Sequence, residues 1–127
     1  RGGGLMSPAI LDADKLTVDE TMARLSDLVR RVRGGGVRAS ELARGTATVT
    51  NLGEDTADRI LPIIYPPQVA IVGIGQLRAR PWVHEGRVVP RRLVEVTIAG
   101  DHRVSDGRTG ARFLSRLAAL LETPEAL

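Results

Sequence analysis

Apolar residues at Val18, Met22, Leu25, Leu28, Val29 and Val32 recur at the spacing of one helix face. Thr17 and Glu20 stand as a capping box ahead of them, and Gly34-Gly35-Gly36 supplies the stop. Upstream, Leu5 to Leu11 predicts a short strand, with Pro8 marking an edge or irregular position. Asp12 to Lys15 reads as a turn, with Asp12 and Asp14 as capping acids rather than metal ligands. Ala39 to Ala43 reads as a single helical turn. Thr46 to Asn51 alternates and is rich in β-branched residues, which predicts a strand. Ile60 to Tyr65 is apolar but interrupted by Pro62, and Pro66-Pro67 makes a rigid turn. Gln68 to Ile74 is nearly continuous in apolar residues, the pattern of a strand buried on both faces. Leu77 to Val83 and Arg87 to Val89 form a hairpin around Glu85-Gly86, and Leu93 to Ala99 is a further strand. From Asp106 onward Ala111, Phe113, Leu114, Leu117, Ala118 and Leu121 return to helical spacing until Pro124. The pattern predicts helices on an antiparallel or mixed sheet, either α+β or a two-layer α/β sandwich, in one domain.

Composition narrows the chemistry. Aromatic residues make up 2% of the chain, so any core is built from Leu, Val, Ile and Ala. The absence of cysteine excludes disulfides, thiolate metal sites and a cysteine nucleophile. With two histidines, His84 and His102, no histidine-rich metal site is expected. No apolar run approaches the length of a membrane span, so no membrane partner is expected. Arg1-Gly2-Gly3-Gly4 lacks the apolar stretch of a signal peptide and reads as a fragment end, and the default expectation is a cytoplasmic protein. All but Lys15 of the 18 basic residues are arginine, and the net charge is +3. These charges are scattered among acids, and Trp82, Tyr65 and Phe113 do not interleave with a basic stripe. That favours compositional bias over nucleic-acid binding.

The segment Asp101-His-Arg-Val-Ser-Asp-Gly107 carries the candidate chemistry. It lies where a strand pattern gives way to a helix pattern. An imidazole titrates near neutrality, and a carboxylate four residues away can fix local geometry or charge, so His102 is the candidate general base. His84 reads as an exposed loop histidine beside Glu85. Gly73-Ile74-Gly75 lacks the third glycine and the following helix of a dinucleotide-binding turn. Ser105 has no nucleophile-elbow sequence around it.

Several segments, in order, resemble the catalytic domain of the dihydrolipoamide acyltransferases, core components of 2-oxoacid dehydrogenase complexes and relatives of chloramphenicol acetyltransferase. They are Gly4-Leu-Met-Ser-Pro-Ala-Ile10, Gly45-Thr-Ala-Thr-Val-Thr-Asn-Leu-Gly53, Pro62-Ile-Ile-Tyr-Pro-Pro-Gln68, Ala70-Ile-Val-Gly73 and Asp101 to Gly107. The last is similar to the family's Asp-His-Arg-x-x-Asp-Gly signature. The resemblance implies a chloramphenicol acetyltransferase-like α/β fold, with residues 1–127 as the C-terminal part of the catalytic domain. It implies transfer of an acyl group between lipoyl-linked dihydrolipoamide and coenzyme A. His102 would deprotonate the thiol, Thr50 would donate to the oxyanion, and Asp106 would hold the loop, through hydrogen bonds or an arginine pair. Asp101 and Arg103 would orient the base, and Gly107 would allow a sharp turn into the helix. Coenzyme A is implied as substrate, and the lipoyl group sits on a separate domain outside this chain.

The implied partners are two further copies in a trimer whose active sites lie between subunits. Trimers would assemble into a cubic or dodecahedral core, with Leu120 to Leu127 as inter-trimer contacts, alongside decarboxylase and dihydrolipoamide dehydrogenase components and the lipoyl domain. No nucleic acid is expected. The pyruvate, branched-chain and 2-oxoglutarate types share all these motifs. The chain departs from the family pattern in the loop Gly53 to Ile60, which lacks a glycine at position 56 and carries Ile60 in place of an aromatic, and at Tyr65, where Asn is usual. The rival readings are a core-forming scaffold without turnover and a transferase for a small-molecule acceptor.

Overall fold

The computed structural model describes residues 6–51 and 57–126. The chain divides after Gly45 into two compact units, the second spanning residues 46–126.

The first unit is built on helix α1 (Val18–Arg33) and the short helix α2 (Ala39–Ala43). Thr17 caps α1 as its sequence predicts: the Glu20 N–H donates to Thr17 Oγ1 at 3.2 Å, and the Thr17 N–H donates to Glu20 Oε2 at 2.8 Å. Gly35, at φ 75°, turns the chain out of the helix. Arg31 does more than meet the helix dipole. Its guanidinium donates to Asp27, to the Gly36 carbonyl and, through two nitrogens at 2.8 and 2.7 Å, to Glu41 of α2. The Arg38 N–H donates to the same carboxylate at 2.9 Å. Glu41 is the one buried charged side chain among the described residues, and the Arg31 guanidinium, then the Arg38 N–H, holds its carboxyl down to about 2. The strand expected over Leu5 to Leu11 is not formed in residues 6–10, and Leu5 lies outside the described residues. Pro8 has no N–H to donate, and a single backbone bond, Ala9 N–H to the Glu41 carbonyl at 2.7 Å, ties the segment down. Asp12, at φ 54°, pairs with Lys15 at 3.0 Å instead of capping the short 3₁₀ turn behind it.

The second unit holds a mixed three-stranded sheet in the order β1 (Ala47–Asn51), β2 (Ala70–Ile74), β5 (Val96–Gly100). β1 runs parallel to β2, with Thr50 opposite Gly73. β5 runs antiparallel to β2, with Thr97 opposite Gly73 and Gly100 opposite Ala70. β2 is central, which accounts for its unbroken apolar run: Val72 and Gly73, on successive faces, are both buried. The predicted hairpin forms as β3 (Arg78–His84) and β4 (Arg87–Leu93), a separate ribbon closed by Glu85 and Gly86 at φ 51° and 74°. His84 is therefore the last residue of β3, opposite Arg87, and not a loop residue. The strand expected from Leu93 to Ala99 is broken. Leu93 ends β4, Val94 and Glu95 bridge to β5, and the Glu95 carbonyl accepts the Gly75 N–H at 2.9 Å. Helix α3 (Gly107–Glu122) packs on β5, where a Cβ on Gly110 would lie 3.7 Å from the Ile98 Cγ2.

Gly73 and Gly75 find their use here. A Cβ on Gly75 would stand 2.0 Å from the Asp58 carbonyl oxygen, and one on Gly73 would stand 3.1 Å from the Ile60 Cβ. The two glycines let residues 57–60 cross β2 at backbone distance. The Gln76 N–H donates to the Ala57 carbonyl, and Thr97 Oγ1 donates to the Ile60 carbonyl. Asp58 pairs with Arg78 and Arg80, and Arg59 pairs with Glu95. Residues 53–56 of the divergent loop lie outside the described residues.

Leu28 and Val72 are the only buried apolar side chains among the described residues. The accessible surface is 10165 Å², whereas two separate globules of these sizes would expose about 7,800 Å². The apolar stripe Val18, Met22, Leu25 and Val29 of α1 stays exposed, as do Leu61, Ile63 and Tyr65. A Leu, Val, Ile and Ala core is thus present in composition but is not closed by this chain alone.

Two outcomes test this packing. Gly75→Ala should lower Tm of the assembled protein by roughly 10 °C in a calorimetric scan, whereas Gly36→Ala, which meets only ordinary contacts at 3.8 Å, should leave it nearly unchanged. Glu41 has a folded-state pKa below its unfolded value. Its contribution is therefore complete above about pH 4.3 and is lost as pH falls towards 2. The gap in urea midpoint between wild type and Glu41→Gln should be open at pH 6 and close between about pH 4.5 and 2. A gap that stays constant with pH refutes the assignment.

Candidate active site

The ladder between β2 and β5 runs one residue beyond the strands, because the Asp101 N–H donates to the Val69 carbonyl at 2.8 Å. The chain then winds around Asp101. Its carbonyl accepts the N–H groups of Val104 at 2.9 Å and Ser105 at 3.0 Å. Its carboxylate accepts the Arg103 N–H at 3.0 Å and the Arg103 guanidinium at 2.7 to 3.2 Å. The guanidinium, then the backbone N–H, draws the Asp101 carboxyl down to about 2. His102 sits in this turn, exposed, and hydrogen-bonds to no other described residue. Its position is set by the turn's backbone. Gly100 allows the fold-back, since a Cβ there would lie 3.1 Å from Ser105 Oγ.

Of the two alternatives for Asp106, hydrogen bonds or an arginine pair, its carboxylate makes hydrogen bonds among the described residues. Asp106 is the N-cap of α3: its Oδ1 accepts from the Thr109 N–H and from Thr109 Oγ1, both at 2.8 Å. The Thr109 N–H, then its hydroxyl, lowers the Asp106 pKa. The carboxylate also lies at the positive end of the helix dipole. Gly107 is not the sharp-turn residue that the motif implies. It is the first helical residue, with no positive φ, and a Cβ there would meet nothing within 4 Å. The change of direction falls on Asp106, at φ −108° and ψ 172°, a conformation open to any residue.

Thr50 lies on the opposite edge strand. Thr48 and Thr50 share the half-buried face of β1, and Thr48 Oγ1 donates to Gln68 Oε1. The Thr50 hydroxyl bonds to no other described residue and is free to donate to a ligand. The register puts Thr50 level with Thr97, two strands from it and three residues short of Gly100. At about 3.3 Å per residue and 4.8 Å per strand, Thr50 and the start of the His102 turn are about 14 Å apart. The chain brings Asp101, Arg103 and His102 together and leaves Thr50 elsewhere. A cavity of about 510 Å³ lies in the first unit, lined by Arg24, Asp27, Arg31 and Glu41 among others, and includes none of these residues.

Residues 2–127 match the family of 2-oxoacid dehydrogenases acyltransferase (catalytic domain). The chain belongs to that family. Among curated relatives it is 38% identical over 124 residues to the succinyltransferase component of the mitochondrial 2-oxoglutarate dehydrogenase complex 1 of Arabidopsis thaliana. It is 32% identical over 124 residues to the acetyltransferase component of the pyruvate dehydrogenase complex of Staphylococcus aureus. Both alignments take in 98% of this chain but only 27% and 29% of the relatives, so the chain spans under a third of their length. Among solved structures, a probable dihydrolipoamide acetyltransferase of Listeria monocytogenes superposes with a TM-score of 0.86 at 28% identity, over 96% of this chain and 52% of that one. The dihydrolipoamide acetyltransferase of Azotobacter vinelandii gives 0.84 at 30% identity, over 97% and 51%, and so does the cubic core of a pyruvate dehydrogenase multienzyme complex. The mixed α/β fold is therefore that of the family's catalytic cores, as expected from its motifs.

Sequence reasoning missed Arg31 as the hub of the first unit, and it named Asp101 as a residue that orients His102 without the backbone and carboxylate bonds by which it shapes the turn. The Asp101–Arg103 spacing was a usable signal, since an aspartate two residues before an N–H favours an Asx turn. Arg31 had no comparable signal, because its partner Glu41 is ten residues away.

As a capping residue, Asp106 should tolerate Asn and not Ala. Asp106→Ala should lower Tm by several degrees and Asp106→Asn by much less. Gly107→Ala should leave Tm within about 2 °C of wild type. A loss at Gly107→Ala equal to that at Asp106→Ala refutes this division of roles.

Proposed function

We propose that the chain is the C-terminal part of the catalytic domain of a dihydrolipoamide acyltransferase, moving an acyl group between lipoyl-linked dihydrolipoamide and coenzyme A. One observation carries the assignment of residues. In the Azotobacter acetyltransferase, a serine, a histidine and an asparagine investigated for their role in the catalytic mechanism stand at the same spacing as Thr50, His102 and Asp106. Thr50 keeps the hydroxyl of that serine, and His102 keeps the imidazole. Asp106 keeps a side-chain oxygen that caps a helix as an asparagine would.

The chemistry follows from the residue types. A thiol is mostly protonated at pH 7, and only the thiolate attacks. His102 takes the proton from the incoming thiol, that of coenzyme A or of dihydrolipoamide. The thiolate adds to the carbonyl carbon of the acyl thioester, and the oxyanion formed accepts a hydrogen bond from Thr50 Oγ1. Collapse expels the second sulfur, which recovers the proton from the imidazolium. The acyl group changes thiols, with nothing oxidised or reduced.

The separation of Thr50 from His102 and the uncovered apolar surface together support a site completed by a neighbouring copy. We infer a trimer, with Thr50 of one subunit serving His102 of the next, within a larger core. The cubic core among its structural neighbours is a precedent for such an assembly. Relatives named for succinyl and for acetyl transfer match this chain alike, so the acyl group is left to assay.

In the complete assembled protein, His102→Ala should reduce acyl transfer from coenzyme A thioesters to dihydrolipoamide by roughly 10²–10⁴-fold, and Thr50→Val by roughly 10²–10³-fold. Co-assembly of the two inactive variants should restore a measurable share of turnover, because some sites then draw an intact residue from each subunit. Full activity in His102→Ala refutes the mechanism. Particles of wild type that never turn over acetyl-, isobutyryl- or succinyl-coenzyme A favour the scaffold reading.

A further inference from the structure

The imidazole of His102 depends on its turn for position, and the hydrogen bonds that shape that turn run through Asp101. The Asp101 N–H continues the β2–β5 ladder at Val69, its carbonyl closes the turn at Val104 and Ser105, and its carboxylate holds Arg103. The side chain of Asp101 is 18% exposed and that of Arg103 is 84% exposed, so the ion pair lies at the surface with its carboxylate inward. The charged residues nearest His102 along the chain are few. The segment itself brings Asp101 and Arg103, and α3 brings Asp106, turned to Thr109, and Arg108. Gln68 to Val72 and Ala47 to Asn51, on β2 and β1, bring none.

We propose that Asp101 and Arg103 form a positioning pair for His102, in which Asp101 fixes the turn and Arg103 cancels the carboxylate's charge beside the imidazole. The proposal rests on the reading of His102 as the base. Loss of Arg103 exposes a carboxylate that favours imidazolium, and loss of the Asp101 charge leaves a cation that disfavours it. Opposite or like charges about 6 Å away in water move a titration by about half a pH unit.

The test uses the complete assembled protein with His84→Gln as background, which leaves His102 as the single histidine of this chain. The rate of carbethoxylation by diethyl pyrocarbonate against pH, followed on the His102 peptide by mass spectrometry, reads the neutral fraction of His102 without turnover. Its midpoint should rise by about half a pH unit in Arg103→Gln and fall by about half a unit in Asp101→Asn. In acyl transfer, Asp101→Ala should lower kcat roughly ten- to a hundredfold with KM for coenzyme A within about twofold. Asp101→Asn, whose amide oxygen still accepts the Arg103 N–H, should recover most of it. Midpoints that stay put, or move in the same direction in both variants, overturn the proposal, as does an Asp101→Ala enzyme with wild-type kcat. Opposed midpoints in a wild-type particle that lacks turnover would uphold the pair and sink the acyltransferase reading. If Asp101→Ala does not fold, the two conservative variants still decide.

Discussion

The three-stranded sheet of the second unit hangs on β2, a strand hydrogen-bonded along both edges and crossed on one face by backbone. Its parallel edge carries β1 and therefore Thr50. Its antiparallel edge carries β5 and, one rung further at Val69, the turn of His102. Gly73 and Gly75 meet the third demand by giving up side chains so that residues 57–60 can cross. A strand with three neighbours has no room for register error, since a slip of one residue would turn every side chain to the other face. The candidate base and the candidate oxyanion donor are thus fixed relative to one another by a shared ladder that also keeps them apart.

That separation belongs with the second constraint, a shortage of burial. A chain whose described residues bury two apolar side chains, and leave a helical stripe and an extended apolar segment uncovered, has much of its hydrophobic driving force unrealised. Both facts are what the proposed site, completed by a neighbouring copy, would require. Local stability comes meanwhile from polar devices. Arg31 and Glu41 lock the first unit, and arginine–carboxylate pairs around Asp58 and Glu95 hold the crossing segment. Such pairs are directional and hold the groups they join in fixed geometry.

Much of the architecture was legible residue by residue. The capping box at Thr17, the hairpin at Glu85-Gly86, the buried run ending at Ile74 and the helix after Asp106 appear where local pattern placed them, because each is governed by contacts within a few residues. The failures are equally physical. Residues 6–10 have strand-like composition without a strand to pair with. Leu93 to Ala99 is largely apolar, and nothing in its pattern reveals that the chain leaves one sheet at Leu93 and enters another at Val96.

The sequence alone determined the order of most elements, the absence of cysteine chemistry and the family, and it supplied the candidate residues Thr50, His102 and Asp106, since motif and periodicity are local properties. Only tertiary structure decided what those residues lean on. Asp101 shapes the turn that carries His102, Asp106 caps a helix terminus, Gly107 is free of strain, and Thr50 stands a sheet's width from His102. Each of these depends on which backbone groups meet across the fold, and hydrogen bonds between segments distant in sequence leave no trace in local composition.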